Sequence, residues 1–129
     1  MNSFFEQVKP GFRISIVPEK KGVSINYKAK DEPEWNPTTM LSGFETALFS
    51  LGFRISTAKA FGSEILILDE PDGACPPDYS ERLFNQIINV TGFKQVFVIT
   101  HKSEAVDLLS EAGAKVYLVE NGEFSVKQS

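Results

Sequence analysis

Ile65-Leu66-Ile67-Leu68-Asp69-Glu70-Pro71 sets four consecutive apolar residues against two adjacent carboxylates and a proline. An apolar run without alternation reads as a strand buried on both faces of a parallel sheet. Each fully buried side chain contributes roughly 1.5–3 kcal/mol before chain entropy is subtracted, enough to fix such a strand in a core. Pro71 cannot extend the ladder, so both carboxylates stand at the strand's carboxyl end, where open α/β sheets place their ligands. Hard oxygen ligands suit Mg2+, which takes one or two carboxylates together with phosphate oxygens. Asp69 therefore reads as the metal-side residue, and Glu70 as a general base facing an attacking water. The same residues also read more plainly, as a buried strand ending in a solvated turn.

Composition narrows the classes. A chain of 129 residues with 42% hydrophobic content and 11 Phe is long and apolar enough for one globular domain with a real core. A formal net charge of −4 lacks the basic stripe of a free-standing nucleic-acid binder, so any contact with DNA is expected to be local or shared with a partner. One cysteine, Cys75, excludes an internal disulfide, and no secretory or membrane-spanning apolar run occurs, so no membrane partner is expected. The expected location is intracellular, either cytoplasmic or with the nucleoid or nucleus.

Outward from the central strand, the pattern alternates between helix and strand. Residues 2–8 read as one or two helical turns ended by Pro10-Gly11, the end of a helix or coiled coil from a longer parent. Residues 12–28 alternate apolar and polar positions around the turn residues 18–22, which predicts a β-hairpin. Residues 29–40 have no period and read as a loop, in which Trp35 is expected to act as an anchor. From Phe44 to about Ala60 the apolar positions follow helical spacing, with Gly62 beyond the end and Gly52 inside at a cost of about 1 kcal/mol against Ala. A second helix is predicted from about Asp78 to Val90, a strand over 95–100, and a third helix over 103–111. A final hairpin is predicted around Asn121-Gly122. Strand, helix and strand over 65–100 form a βαβ unit, which makes the two strands parallel and brings Asp69, Glu70 and His101 to one sheet edge.

Two further groups carry chemistry. Ser42 and Glu45 fit a capping box at the start of the first long helix, a common structural device. The same helix terminus offers free amides, a hydroxyl and, at Gly43, close backbone approach, which together suit a phosphate. His101, the single histidine, reads on its own as a structural residue. Beside two carboxylates on a shared edge it reads as a polar sensor for a terminal phosphate or its attacking water.

The order Leu41-Ser42-Gly43-Phe44-Glu45, then Ile65 to Pro71, then an apolar strand ending in one His resembles the C-terminal half of an ABC-type ATPase head. Those segments match the family's signature loop, Walker B strand and histidine switch. With Phe4 to Phe12 and the hairpin before the signature, the chain resembles more narrowly the SMC-like ATPases of DNA double-strand-break repair, especially the SbcC type that works with a nuclease. The resemblance implies an α/β fold: the C-terminal lobe of a P-loop NTPase head, with parallel core strands, helices and hairpins at both ends. It treats 1–129 as a single lobe, with signature, Walker B and histidine switch in 41–129. It implies ATP and Mg2+ as cofactors, with Asp69 on the metal, Glu70 polarising the water and His101 at the γ-phosphate. Ser42, Gly43 and Glu45 belong to the signature, with Ser42 and Gly43 reaching ATP bound to a second head of a homodimer. Implied partners are that second head, a nuclease subunit, and DNA in the assembled complex.

The chain departs from the family pattern in three places. Phe44 stands where the second signature glycine lies. Residues 72–78 lack the usual D-loop, with Asp78 the one later acidic candidate and Cys75 a small loop residue. No G-x-x-x-x-G-K-[ST] stretch occurs, and no Gly is followed by Lys. Without that loop there is no amide cradle, no phosphate-reaching Lys and no hydroxyl on Mg2+, so this chain alone is expected to be inactive. A separate Walker A N-terminal lobe is then expected as a partner, and the surface it covers should be apolar and exposed here. Two other readings stand beside this one. The first is a non-hydrolysing head-like module for docking or regulation, and the second is the equivalent lobe of a transporter ATPase.

Overall fold

The computed structural model describes residues 1–127, so the last two residues of the 41–129 segment lie outside it. The described elements run α1 (Asn2–Val8), β1 (Arg13–Glu19), β2 (Gly22–Lys28), β3 (Asn36–Pro37), a short 3-10 turn (Thr38–Met40), α2 (Gly43–Ala60), β4 (Ile65–Asp69), α3 (Pro77–Ile88), β5 (Gln95–Ile99), α4 (Ser103–Glu111), β6 (Tyr117–Glu120) and β7 (Glu123–Val126). This is an α/β architecture of helices, a parallel strand pair and hairpins near both ends, as expected.

The N-terminal hairpin pairs β1 with β2 antiparallel from Arg13↔Lys28 to Glu19↔Gly22. Part of the segment expected as a loop is ordered otherwise: Asn36 and Pro37 pair with Tyr27 and Asn26 as a third strand. A two-residue strand leaves no period to read. Trp35 is not an anchor either. It is 46% exposed, and Lys28 Nζ lies 5.2 Å from its ring centroid, a cation–π contact at the surface.

One contiguous core joins the elements. Phe5 and Val8 of α1, Phe12, Ile14 and Tyr27 of the hairpin region, and Leu48, Leu51 and Ile55 of α2 pack with Leu66 and Leu68 of β4 and with Leu83, Phe84 and Ile87 of α3. Gly52 of α2 lies directly against the Phe5 and Phe4 rings of α1. A Cβ there would lie 2.6 Å from Cε1 of Phe5 and 3.3 Å from Cδ1 of Phe4. The helix-breaking tendency of glycine is thus offset by the ring that only glycine admits.

β4 and β5 pair in parallel with Asp69 opposite Ile99, forming a sheet of two strands. The expectation that β4 is buried on both faces is not met. Leu66 and Leu68 are buried, but Ile65 and Ile67 are 48% and 57% exposed, as are Phe97 at 48% and Ile99 at 54% on β5. The side chains of a strand alternate between faces, and here the core covers one of the two. At the C-terminal end, β6 and β7 form the expected hairpin around Asn121 and Gly122, with Val119 opposite Phe124. Both turn residues take positive φ, +50° and +78°, as a tight primed turn requires. All eight residues of its two strands are exposed.

Candidate functional site

β4 delivers Asp69 and Glu70 to the carboxyl edge of the parallel pair, and β5 delivers Thr100 and His101 to the same edge. Parallel pairing makes this unavoidable, because both strands end on the same side. The backbone fixes the edge further: Glu70 N–H donates to the Ile99 carbonyl at 2.7 Å, and Gly73 N–H donates to the Glu70 carbonyl at 3.0 Å. Glu70 itself sits at φ +44°, a left-handed conformation that side chains other than glycine adopt at a cost of roughly 1–2 kcal/mol. That turn aims its carboxylate at the neighbouring strand's exit, where Glu70 Oε1 pairs with Nδ1 of His101. An ionised carboxylate only accepts, so Nδ1 is the donor in this pair. Both side chains remain open to solvent, His101 at 75% and Glu70 at 46%.

Asp69 is exposed beside them. A cleft of about 180 Å³ opens where α2 passes this edge, lined by Ala47, Ser50 and Arg54 on one side and by Leu68, Asp69 and Glu70 on the other. Arg54, which the sequence reading did not single out, brings a cation into the lining of the same cleft as those carboxylates. Its place in the polar positions of a helix gives no sign of that proximity.

At the start of α2 the capping box forms in full. Ser42 Oγ accepts from Glu45 N–H at 3.2 Å, and Glu45 Oε1 accepts from Ser42 N–H at 3.1 Å. This arrangement uses the hydroxyl as an acceptor and leaves its proton free to donate outward. Ser42 and Gly43 are exposed, and nothing lies within 4 Å of the Cβ position of Gly43. Glu45 is buried instead, with its second oxygen accepting from Lys9 Nζ at 2.9 Å. Burial pushes the Glu45 carboxyl upward, but the hydrogen bonds from Lys9 and Ser42 outweigh it and hold the group below its ordinary value. Lys9 was also not singled out from the sequence; it stands 36 residues away and carries no local signal. Phe44 packs its ring on Tyr79 of α3, centroids 5.1 Å apart, which pins the first turn of α2 against the neighbouring helix. Cys75 is a buried loop residue whose thiol burial pushes up, so it is poorly disposed to react.

Among the described residues, no group of three or more His, Cys, Asp or Glu side chains forms a metal cage. Asp69 fits the other way in which Mg2+ is held, by one or two carboxylates completed by water and phosphate oxygens. No described helix is long and apolar enough to cross a membrane.

A parallel β-strand pair with carboxylates and an imidazole at its carboxyl edge, flanked by a capped helix, defines an α/β lobe with polar groups gathered where open α/β sheets place their ligands. Solved structures place this fold among the head domains of SMC ATPases. The chain is similar to an SMC ATPase characterised for ATP-driven dimerization and DNA-stimulated activation, with TM-score 0.76, 22% identity, and coverage of 97% of this chain and 78% of that one. It is similar to the Smc head domain of Pyrococcus furiosus, solved with an extended coiled coil and bound to the C-terminal domain of ScpA, with TM-score 0.74, 22% identity and coverage of 97% and 32%. It is similar to the SMC head domain of Thermotoga maritima with TM-score 0.69, 21% identity and coverage of 99% and 45%. The chain therefore spans less than half of the last two. No family model and no curated protein matches it.

Proposed function

We propose that this chain is the C-terminal lobe of an SMC-like ABC ATPase head of the SbcC type. In this reading it binds and hydrolyses ATP with Mg2+ at a site completed by a Walker A lobe and a second head, and so controls DNA repair or recombination with a nuclease partner. The observation that carries the reading is the pairing of Glu70 with His101 beside Asp69 on one edge of β4 and β5. Asp69 would hold Mg2+, whose charge offsets that of the phosphate oxygens. Glu70 would take a proton from the attacking water, held in place by a backbone turn that it enters at φ +44°. His101 would meet the terminal phosphate. Ser42 would donate its free hydroxyl proton, and the Gly43 amide would approach, toward ATP on the second head.

The need for another lobe is supported by what the sheet leaves uncovered. Ile65, Ile67, Phe97 and Ile99 expose apolar surface on one face, and Tyr117, Leu118, Val119, Phe124 and Val126 do so on the terminal hairpin. Contiguous exposure of this kind marks a surface that another element covers. A second head is supported by the ATP-driven dimerization of a neighbour with the same fold. Mixing the chain with a Walker A lobe and measuring ATP turnover tests the reading: turnover appears in the mixture and disappears with Glu70→Gln.

A second reading, a non-hydrolysing head-like module, is favoured by Phe44, whose ring is committed to Tyr79 at the turn where the signature meets phosphate. It predicts that no Walker A lobe produces turnover and that Glu70→Gln changes nothing.

A further inference from the structure

Asp72 is buried to 2% exposure in the turn that follows Glu70. Its Oδ2 lies 3.4 Å from Lys102 Nζ, while its Oδ1 has no hydrogen-bond partner among the described residues. The same ammonium donates to the Asp72 carbonyl oxygen at 3.0 Å. Lys102 follows His101 directly, and its own N–H donates to Thr100 Oγ1 at 3.2 Å. One lysine thus ties the turn after β4 to the loop after β5 through both the side chain and the backbone of one residue. As a stabilising device this is poor, because a buried carboxylate with one oxygen left without a partner costs free energy that a neutral residue at the same place would avoid. Its position offers a better account. The clamp lies two residues beyond Glu70 and one beyond His101, and it spans the two segments whose separation decides whether those side chains meet.

We propose that Lys102 and Asp72 are positioning residues that hold Glu70 against His101; the consequence for hydrolysis rests on the reading of Glu70 as the base. Neither touches the reacting atoms. Lys102 fixes the height of the turn above the end of β5, and Asp72 supplies both a carbonyl and a charge for it to grip. When the clamp opens, the Glu70 carboxylate drifts from His101, and with it the place where a water would be held. A misplacement of a reacting group by about 1 Å can cost about a hundredfold in turnover.

The test uses the single histidine of the chain as its reporter. An exposed neutral imidazole prefers its proton on Nε2, whereas donation from Nδ1 to Glu70 favours the Nδ1–H form, and 15N shifts of the ring separate the two. In the chain at mildly alkaline pH, the Nδ1–H form is expected to dominate. It should remain dominant in Lys102→Arg and give way to Nε2–H in the double variant Lys102→Met, Asp72→Asn, which removes both charges together and leaves no orphaned carboxylate. Should that variant fail to fold, Asp72→Asn alone removes the ion pair and is expected to lower the Nδ1–H fraction. An unchanged tautomer ratio in the variant measured overturns the proposal, whatever turnover shows. In the mixture with a Walker A lobe, the double variant should lose about a hundredfold in kcat with KM for ATP unchanged, and Lys102→Arg should keep the parent rate. A shifted tautomer with unchanged kcat supports the clamp and removes Glu70 from catalysis.

Discussion

Glu70 and His101, 31 residues apart in the chain, meet through Oε1 and Nδ1 across the carboxyl edge of two parallel strands. The contact depends on two local facts: the left-handed turn of Glu70 and the termination of β5 at Ile99, whose carbonyl accepts the Glu70 N–H. An acid and an imidazole brought together in this way, with a second carboxylate one residue off, are the groups that the proposed function would use to hold a metal-bound phosphate and a water.

Gly52→Ala should destabilise the chain. Helix propensity alone predicts a gain of about 1 kcal/mol, but the new Cβ would press on the Phe5 ring at 2.6 Å. Overpacking of a well-packed contact costs about 1–3 kcal/mol. Urea denaturation should give a lower midpoint, and a higher one would contradict the packing of α1 on α2.

Ser42→Asp separates the structural role of the capping residue from its proposed role. Aspartate caps a helix as well as serine does, so the melting temperature should hold, whereas Ser42→Ala should cost about 0.5–2 kcal/mol. A carboxylate facing a phosphate repels it, so the Asp variant should still abolish ATP-driven pairing of reconstituted heads. Sedimentation with and without ATP reads this, and pairing at the level of the parent chain would leave Ser42 with the cap alone.

The Lys9–Glu45 pair should appear in the acid limb of stability. The Glu45 carboxyl lies below its ordinary value of 4.5 in the folded chain, so its contribution is complete above that value and is lost as pH falls through the folded one. Lys9→Met leaves Glu45 with a buried, unmet oxygen and should cost about 1–3 kcal/mol near neutral pH. The difference between the two proteins should shrink as pH falls below about 4.5, and a constant difference would exclude the pair as its source.

Ile67→Lys and Leu68→Ala, adjacent on one strand, should behave oppositely. Ile67 is 57% exposed and Leu68 is 1% exposed, so the first should change the chain's own stability by no more than about 0.5 kcal/mol and the second by about 2–5 kcal/mol. In a pull-down with a Walker A lobe, the ranking should reverse, with Ile67→Lys losing the partner. Retained binding would remove that face from the interface.

These elements differ in how far the sequence exposes them. The capping box, the Asn121-Gly122 turn and the helix over 103–111 were legible because each is set by residues within a few positions of one another. The shared edge of Asp69, Glu70 and His101 was legible because parallel pairing follows from a strand–helix–strand order. The apolar run of β4 did not by itself reveal its one-sided burial, since it looks the same whether its second face meets this chain or another; only the missing Walker A loop pointed to exposed apolar surface. Lys9 on Glu45 and Lys102 on Asp72 were hidden for a different reason: they join residues 36 and 30 positions apart, and charged side chains at such separation leave no period. The glycine in α2 looked like a defect until Phe5 was placed beside it.

ATP turnover by an equimolar mixture of this chain and a Walker A lobe of an SMC-like head, measured against the Glu70→Gln variant, decides whether Glu70 serves as the base of a divided ATPase site. The chain alone should show no turnover, and the mixture should show magnesium-dependent turnover. The Gln variant should turn over more slowly by a factor of about 10²–10⁴, with ATP still bound. A mixture that turns over ATP at the same rate with glutamine at position 70, or one that binds the lobe tightly and never hydrolyses ATP, would contradict that role.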